Sequence, residues 1–259
     1  MRLLALSIGP DGGASDLGSA LVEYRDVEYR VAELSPPSID AALDARDDRR
    51  LVIDAGLAGL NLVLYRLMRR GELHTAEIAM LPRDPVPFLR RMGLPPERKE
   101  QAALAIAGRP RRVGVIKDDS GGLCLDSAMV TRWAAQPANP PDPATFSGAR
   151  PENVAQSGAW WVRPENVAQS GTWWARAVVD DQRLVDGDAR EVSIRRLGPS
   201  ELEATVRLGR FRTRSRRGRS VQLACDEALI STDGVERERP RSKRTFWSEP
   251  TLLNLVLPP

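Results

Sequence analysis

The chain has 259 residues, 42% of them hydrophobic and 28% charged, with a net charge of +3. That is the make-up of an ordinary soluble globular protein with room for one or two domains. Two cysteines, Cys124 and Cys225, exclude a disulfide scaffold, and a single histidine, His74, excludes a multi-histidine metal site. No window of about 18 consecutive apolar residues is present to span a membrane. The positive charge is arginine, since Lys99, Lys117 and Lys243 are the only lysines.

Arg2 to Ile8 reads as a buried first strand, too short for a signal peptide, so a reducing cytoplasm with buried thiols is expected. Gly9-Pro10-Asp11-Gly12-Gly13 is a turn without the spacing of a Walker or Rossmann loop. Ala14 to Tyr24 predicts a helix and Glu28 to Leu34 a strand, and Ser38 is placed as N-cap of a helix to Ala45. The run Leu51-Val52-Ile53 then meets Ala55-Gly56-Leu57-Ala58-Gly59. Beyond it Leu60, Val63, Leu64, Leu67 and Met68 fall on one helical face that Gly71 closes. Glu77 to Leu81 is the next strand, Pro82-Arg83-Asp84-Pro85 a loop, and helices follow over Val86–Met92 and Pro96–Ala107. His74, just after Gly71, is expected on an exposed loop. This alternation predicts an α/β fold with a Rossmann-like parallel sheet, whose ligands sit beyond the carboxyl ends of the strands.

Arg111 to Ile116 predicts the strand that closes this domain, and Asp118-Asp119-Ser120-Gly121-Gly122 a solvated turn. The boundary is placed there: residues 1–122 form the α/β domain and 123–259 a C-terminal antiparallel β-sandwich. Within 134–174 lies a tandem copy. Arg150 to Trp161 recurs at Arg163 to Trp174 with a period of 13 residues and one difference, Ala159 against Thr172. Solenoids need longer periods and more copies, so this is a duplication in a tolerant loop, with the second copy leading into a strand from Ala175. Short strands with turns at Asp186-Gly187, Gly198-Pro199, Arg217-Gly218 and Asp233-Gly234 then predict the sandwich. Leu252–Leu257 is the last of these strands.

Leu60-Asn61, Phe88 and Met92-Gly93-Leu94-Pro95 stand where corresponding residues stand in the diacylglycerol kinase family of lipid kinases, within the NAD-kinase-like group. The chain resembles that family over nearly its full length, and the family's second domain is also a β-sandwich. The resemblance implies ATP and Mg²⁺ as cofactors if activity is retained. It marks Gly56, Gly59, Asn61 and Asp84 as degenerate nucleotide-site positions, and Asp233, in the family's Asp-Gly-Glu, as the catalytic candidate. Three motifs depart from the pattern. Leu57 replaces the nucleotide-site aspartate, Arg83 to Pro87 replaces Gly-Thr-Gly-Asn-Asp, and Val235 replaces the glutamate. Phosphoryl transfer needs phosphate positioning, a carboxylate-held Mg²⁺ and a base for the acceptor hydroxyl, and each departure removes one.

The expected function is therefore a catalytically impaired lipid-kinase-like protein that binds an anionic ligand or a partner at the inter-domain cleft. A working lipid kinase with altered nucleotide contacts is the first alternative, with Asp54, Asp84 and Asp233 as substitute carboxylates. The second is a basic interaction protein. Arg210, Arg212 and Arg214 are read as one face of a strand at roughly 7 Å steps, with Arg216 and Arg217 beside them. Anionic lipid or an acidic protein surface is their expected partner; no nucleic-acid motif accompanies them. The other reading of the cluster is a solvated edge strand that discourages sheet-to-sheet pairing. Peripheral membrane association and a homodimer are both compatible with this pattern.

Overall fold

The computed structural model describes residues 2–9, 21, 24, 26–84, 86–133, 172–233, 235–236 and 240–258. The helix expected over Ala14–Tyr24 and the tandem copies up to Gly171 fall almost wholly outside these residues. All fifteen strands of the described residues join one mixed sheet.

The amino-terminal half supplies its parallel part. Strand β1 (Leu3–Ile8) lies between β2 (Val27–Ala32) and β3 (Arg50–Ala55), and β3 pairs onward with β4 (Glu77–Pro82), all in parallel. Every residue of β1 and β3 is buried, as a sheet covered on both faces requires. One face carries α2 (Leu57–Arg69), which buries Leu60, Val63, Leu64 and Leu67 at the expected spacing. Gly71, at φ +72°, ends it: Glu72 N–H donates to the Leu67 carbonyl and Gly71 N–H to that of Met68, a Schellman close. The other face carries α4 (Arg98–Ala107), whose Ala102 and Ala105 pack with Leu3, Ala5, Val52 and Ala79. A short α3 (Pro87–Arg91) precedes it, and α1 (Pro36–Asp44) follows β2.

Ser38 is not the cap of α1. Pro36 and Pro37 occupy the first turn, so Ser35 is the N-cap residue, and Ser38 Oγ accepts instead from Glu33 N–H at 3.0 Å.

The carboxyl half is antiparallel. Strands β7 (Ser127–Arg132), β10 (Glu191–Arg196), β11 (Leu202–Arg207) and β12 (Thr213–Gly218) run from the centre to one edge. β13 (Ser220–Thr232) pairs with β7 and also with β8 (Trp173–Val179), which carries β9 (Gln182–Ala189). These strands enclose a second core that includes Val130, Trp173, Val192, Ile194, Val206, Val221 and Phe246.

Strand β15 (Arg241–Leu257) joins the halves, a length the sequence shows only in its last third. Its first part pairs with β13, most of it with β5 (Arg109–Asp118), and Asn254-Leu255 run parallel to Glu77-Ile78 of β4. Leu253, Leu255 and Leu257 thus sit in the first core beside Leu4 and Ile53.

The arginine run also differs from its expected form. The chain turns over 208–212, where Leu208 N–H donates to the Arg212 carbonyl at 2.8 Å, and β12 begins only at Thr213. Arg210 and Arg212 therefore lie in the turn and share no strand face with Arg214.

Candidate functional site

Parallel pairing brings the carboxyl ends of β1, β3 and β4 to one edge, and three charged residues meet there. Asp54, near the end of β3, is fully buried. Arg83, just past β4, reaches it twice, Nε to Oδ1 and Nη2 to Oδ2, each at 3.2 Å. The same Nη2 donates to Ser7 Oγ on β1 at 2.7 Å, and Arg98, first residue of α4, donates to Asp54 Oδ1 at 2.6 Å. A buried carboxylate demands such partners. The Arg83 guanidinium lies directly against Gly9, where a Cβ would stand 2.7 Å from Nη1.

The next residue closes the other half of the edge. Asp84 Oδ2 accepts from Leu57 N–H, the first amide of α2, at 3.3 Å. A helix amino terminus attracts anions because its first amides have no partner within the helix. Here a carboxylate of the chain itself takes that place. Gly56 is the N-cap of α2, and a Cβ there would come within 3.0 Å of Asp84 Oδ2. Gly59 serves packing: a Cβ on it would lie 2.8 Å from that of Ala55. Leu57 packs against the first core.

On the other side of α2 a cleft of about 410 Å³ opens between the two halves. Ala58, Asn61, Leu62 and Tyr65 of α2 form one wall; Ser120, Gly122 and Leu123, and Thr232 and Val235, form the other, with Leu34 at one end. Its described lining contains no arginine or lysine. Asn61 reaches across it, with Nδ2 3.5 Å from the Thr232 carbonyl, while its Oδ1 is buried without a hydrogen-bond partner among the described residues.

Two buried carboxyl groups tie the second wall together. Asp118 is buried, not solvated as its sequence suggests. Its Oδ1 accepts from Ser120 N–H, Ser120 Oγ and Gly122 N–H, and Arg244 stands 3.5 Å away. Asp233, in the left-handed region at φ +50°, accepts from the N–H groups of Leu125, Asp126 and Ser127 at 2.6 to 3.1 Å. The residue as a whole is half-buried, but its carboxyl group faces inward onto these amides. Burial pushes its pKa up to about 6, against the pull of the three amide bonds. Phe88 lies under Arg196 at 4.8 Å, tying α3 to the antiparallel half.

The remaining chemistry-bearing residues lie elsewhere. Cys225 is buried, which pushes its thiol up to about 12 and leaves little thiolate. His74 is exposed. Among the described residues no three His, Cys, Asp or Glu side chains group as a metal site. Of the arginine cluster, Arg217 pairs with Glu203 at 3.6 Å and Arg216 with Gln182, on the edge strand far along the sheet from the cleft. The sequence reading passed over Arg83 and Arg98 as partners of Asp54. The signal was there: two charged residues ending neighbouring parallel strands must face the same crevice.

No family model and no curated protein sequence matches the chain. Solved structures do. A diacylglycerol kinase from Bacillus anthracis str. Sterne superimposes with a TM-score of 0.67 at 13% identity, covering 100% of this chain and 97% of that one. An NAD kinase from Archaeoglobus fulgidus, determined in complex with ATP, gives 0.57 at 12%, over 99% and 93%. The chain has the fold shared by diacylglycerol kinase-like proteins and NAD kinases.

Proposed function

We propose that this chain is a lipid-kinase-fold protein that does not transfer phosphate from ATP and that binds an uncharged amphiphile in its inter-domain cleft. The observation that carries this reading is the occupied carboxyl edge. Arg83 lies on Asp54 beside Gly9, and Asp84 accepts from the first amide of α2. A triphosphate does not fit these residues: its oxygens would meet a carboxylate where they need an amide. Mg²⁺ finds Leu57 where the family pattern has an aspartate. Asp54 and Asp84, the local carboxylates, already accept bonds within the chain. Asp233 is held by three amides and is poorly placed to take a proton from an acceptor.

The cleft supports the second half of the reading. Leu34, Ala58, Leu62, Leu123 and Val235 offer apolar wall, and Asn61, Ser120 and Thr232 a few polar groups. This is the usual make-up of a site for a small, mostly apolar ligand. Without arginine or lysine in the described lining, the walls favour an uncharged ligand over an anionic one.

The test uses the full chain with diacylglycerol in mixed micelles. The expected result is a raised Tm that the cleft-filling Ala58→Trp abolishes, with no labelled phospholipid formed from γ-labelled ATP. Labelled phospholipid above the protein-free background would overturn the loss of transfer. Equal stabilisation of wild type and Ala58→Trp would overturn the cleft as the binding site.

A further inference from the structure

The turn between β11 and β12 carries a feature that neither fold nor cleft uses. Phe211 is 86% exposed, the most exposed large apolar side chain among the described residues. Arg210 lies beside its ring at 5.3 Å. Arg212 follows it, and Arg214 opens the neighbouring strand; among the described residues neither they nor Arg210 has an acidic partner. Along the same strands Arg207 pairs with Glu191 and Arg217 with Glu203. The unpaired charge is therefore gathered at the tip.

Protection of an edge strand explains only part of this. β12 ends the sheet, and arginines at 214, 216 and 217 do discourage another chain from pairing there. That role gives no reason for Arg210 and Arg212, which lie outside the strand, or for a phenyl ring in water. An exposed aromatic on an arginine-rich turn is instead the chemistry of a membrane interface, where the ring enters the acyl boundary and the cations stay among anionic headgroups.

The strand register extends this surface along one rim. Glu191 of β10 faces Arg207 of β11 and Thr131 of β7, so the 208–212 turn, Arg190 and Arg132 lie at the same end of the sheet. Trp174, 41% exposed, lies near it: its backbone N–H donates to Asp226, two residues before the Ala228 that pairs with Arg132. The cleft residue Thr232 lies at the other end, paired with Ala128 at the start of β7.

We infer that the 208–212 turn is a membrane-docking wedge, in which Phe211 inserts into an anionic lipid surface and Arg210, Arg212 and Arg214 bind its headgroups. A membrane suits this element better than other acidic partners. A five-residue convex tip offers far less than the roughly 1,000 Å² that a stable protein interface buries. Single-stranded nucleic acid binds along a groove with successive stacking platforms, which one projecting ring does not provide.

The full chain should co-sediment with phosphatidylcholine vesicles containing about one quarter phosphatidylserine, and not with phosphatidylcholine alone. Raising salt from about 0.1 M to about 0.5 M should weaken binding several-fold, because exposed charges are screened. Phe211→Ser should lower the partition coefficient roughly tenfold or more, the loss expected for one buried phenyl group. Arg210→Ser with Arg212→Ser should lower it by at least a similar factor. All three residues lie in an exposed turn, so unchanged thermal melts confirm that each variant is folded. Insertion is read separately: Phe211→Cys carrying an environment-sensitive fluorophore should shift to the blue and be quenched by spin-labelled lipid. Wild-type binding retained in Phe211→Ser, or a fluorophore that stays unquenched, would overturn the wedge. So would absence of vesicle binding beside Phe211-dependent binding to single-stranded RNA or an acidic protein.

Discussion

Asp54 has no contact with water, and its charge is matched by two arginines from different elements. Removing Arg83 leaves the buried carboxylate only partly compensated, by Arg98. Arg83→Ala should therefore cost about 2 kcal/mol, seen as a lower urea midpoint; an unchanged midpoint would mean the contact contributes nothing. Asp84→Ala removes the group bonded to the first amide of α2 and should cost about 1 kcal/mol, the scale of a lost N-terminal cap. Asp233 gives a dependence on pH. Its folded pKa is raised to about 6 from an ordinary 3.8, so the folded state binds the proton more tightly than the unfolded chain. The associated stability is full below about pH 4 and is lost as pH rises through about 6, amounting to about 3 kcal/mol. Asp233→Asn cannot ionise. Thermal melts between these limits should show the variant gaining on wild type as pH rises, whereas a constant difference would contradict the raised pKa. Little of this was legible in the sequence. Leu57 and Val235 mark where the family pattern lapses, but only the structure shows Arg83 on Asp54 and Asp84 on the first amide of α2.

Element by element, legibility follows whether an element's pattern is set by its own residues or by its neighbours. α2 was readable because Leu60, Val63, Leu64 and Leu67 repeat at helical spacing and Gly71 can take the positive φ that closes it. The arginine run reads as a strand in sequence because its alternation persists through a tight turn, and nothing in Arg210-Phe211-Arg212 distinguishes strand from loop. The turn between β8 and β9 shows a local rule with a strict steric demand. Asp180, at φ +44°, accepts from the N–H groups of Arg219 and Ser220, and its Oδ2 would stand 2.5 Å from a Cβ on Gly218. Val179 Cγ1 would stand equally close, so Gly218→Ala must displace both and should destabilise by about 1–3 kcal/mol in denaturant melts. A neutral substitution would show that the turn has room to move. The 13-residue repeat carries its own expectation. β8 begins at Trp173, within the second copy, so deleting residues 150–162 should leave the melting temperature unchanged.

At the scale of the molecule, β15 makes one sheet of the two halves. Its first stretch, Arg241 to Pro250, is too polar to signal a strand, and is one because β13 and β5 supply hydrogen-bond partners on both sides. Leu255 pairs beside β4 and lies in the first core, so Leu255→Ala should cost about 3 kcal/mol, visible as a lower midpoint of global unfolding. The same continuity fixes the cleft, since one wall is carried by the sheet and the other by a helix packed on it. On the proposed reading, the carboxyl edge of the parallel strands is filled by the chain's own charges while the cleft beside it is open. Thermal melting of the full chain with ATP and Mg²⁺ tests this most directly, because a ligand that binds only the folded state raises Tm in proportion to the logarithm of its concentration. The melting temperature is predicted to stay level up to about 5 mM ATP. A rise that continues with each increment of ATP, and that needs Mg²⁺, would contradict it.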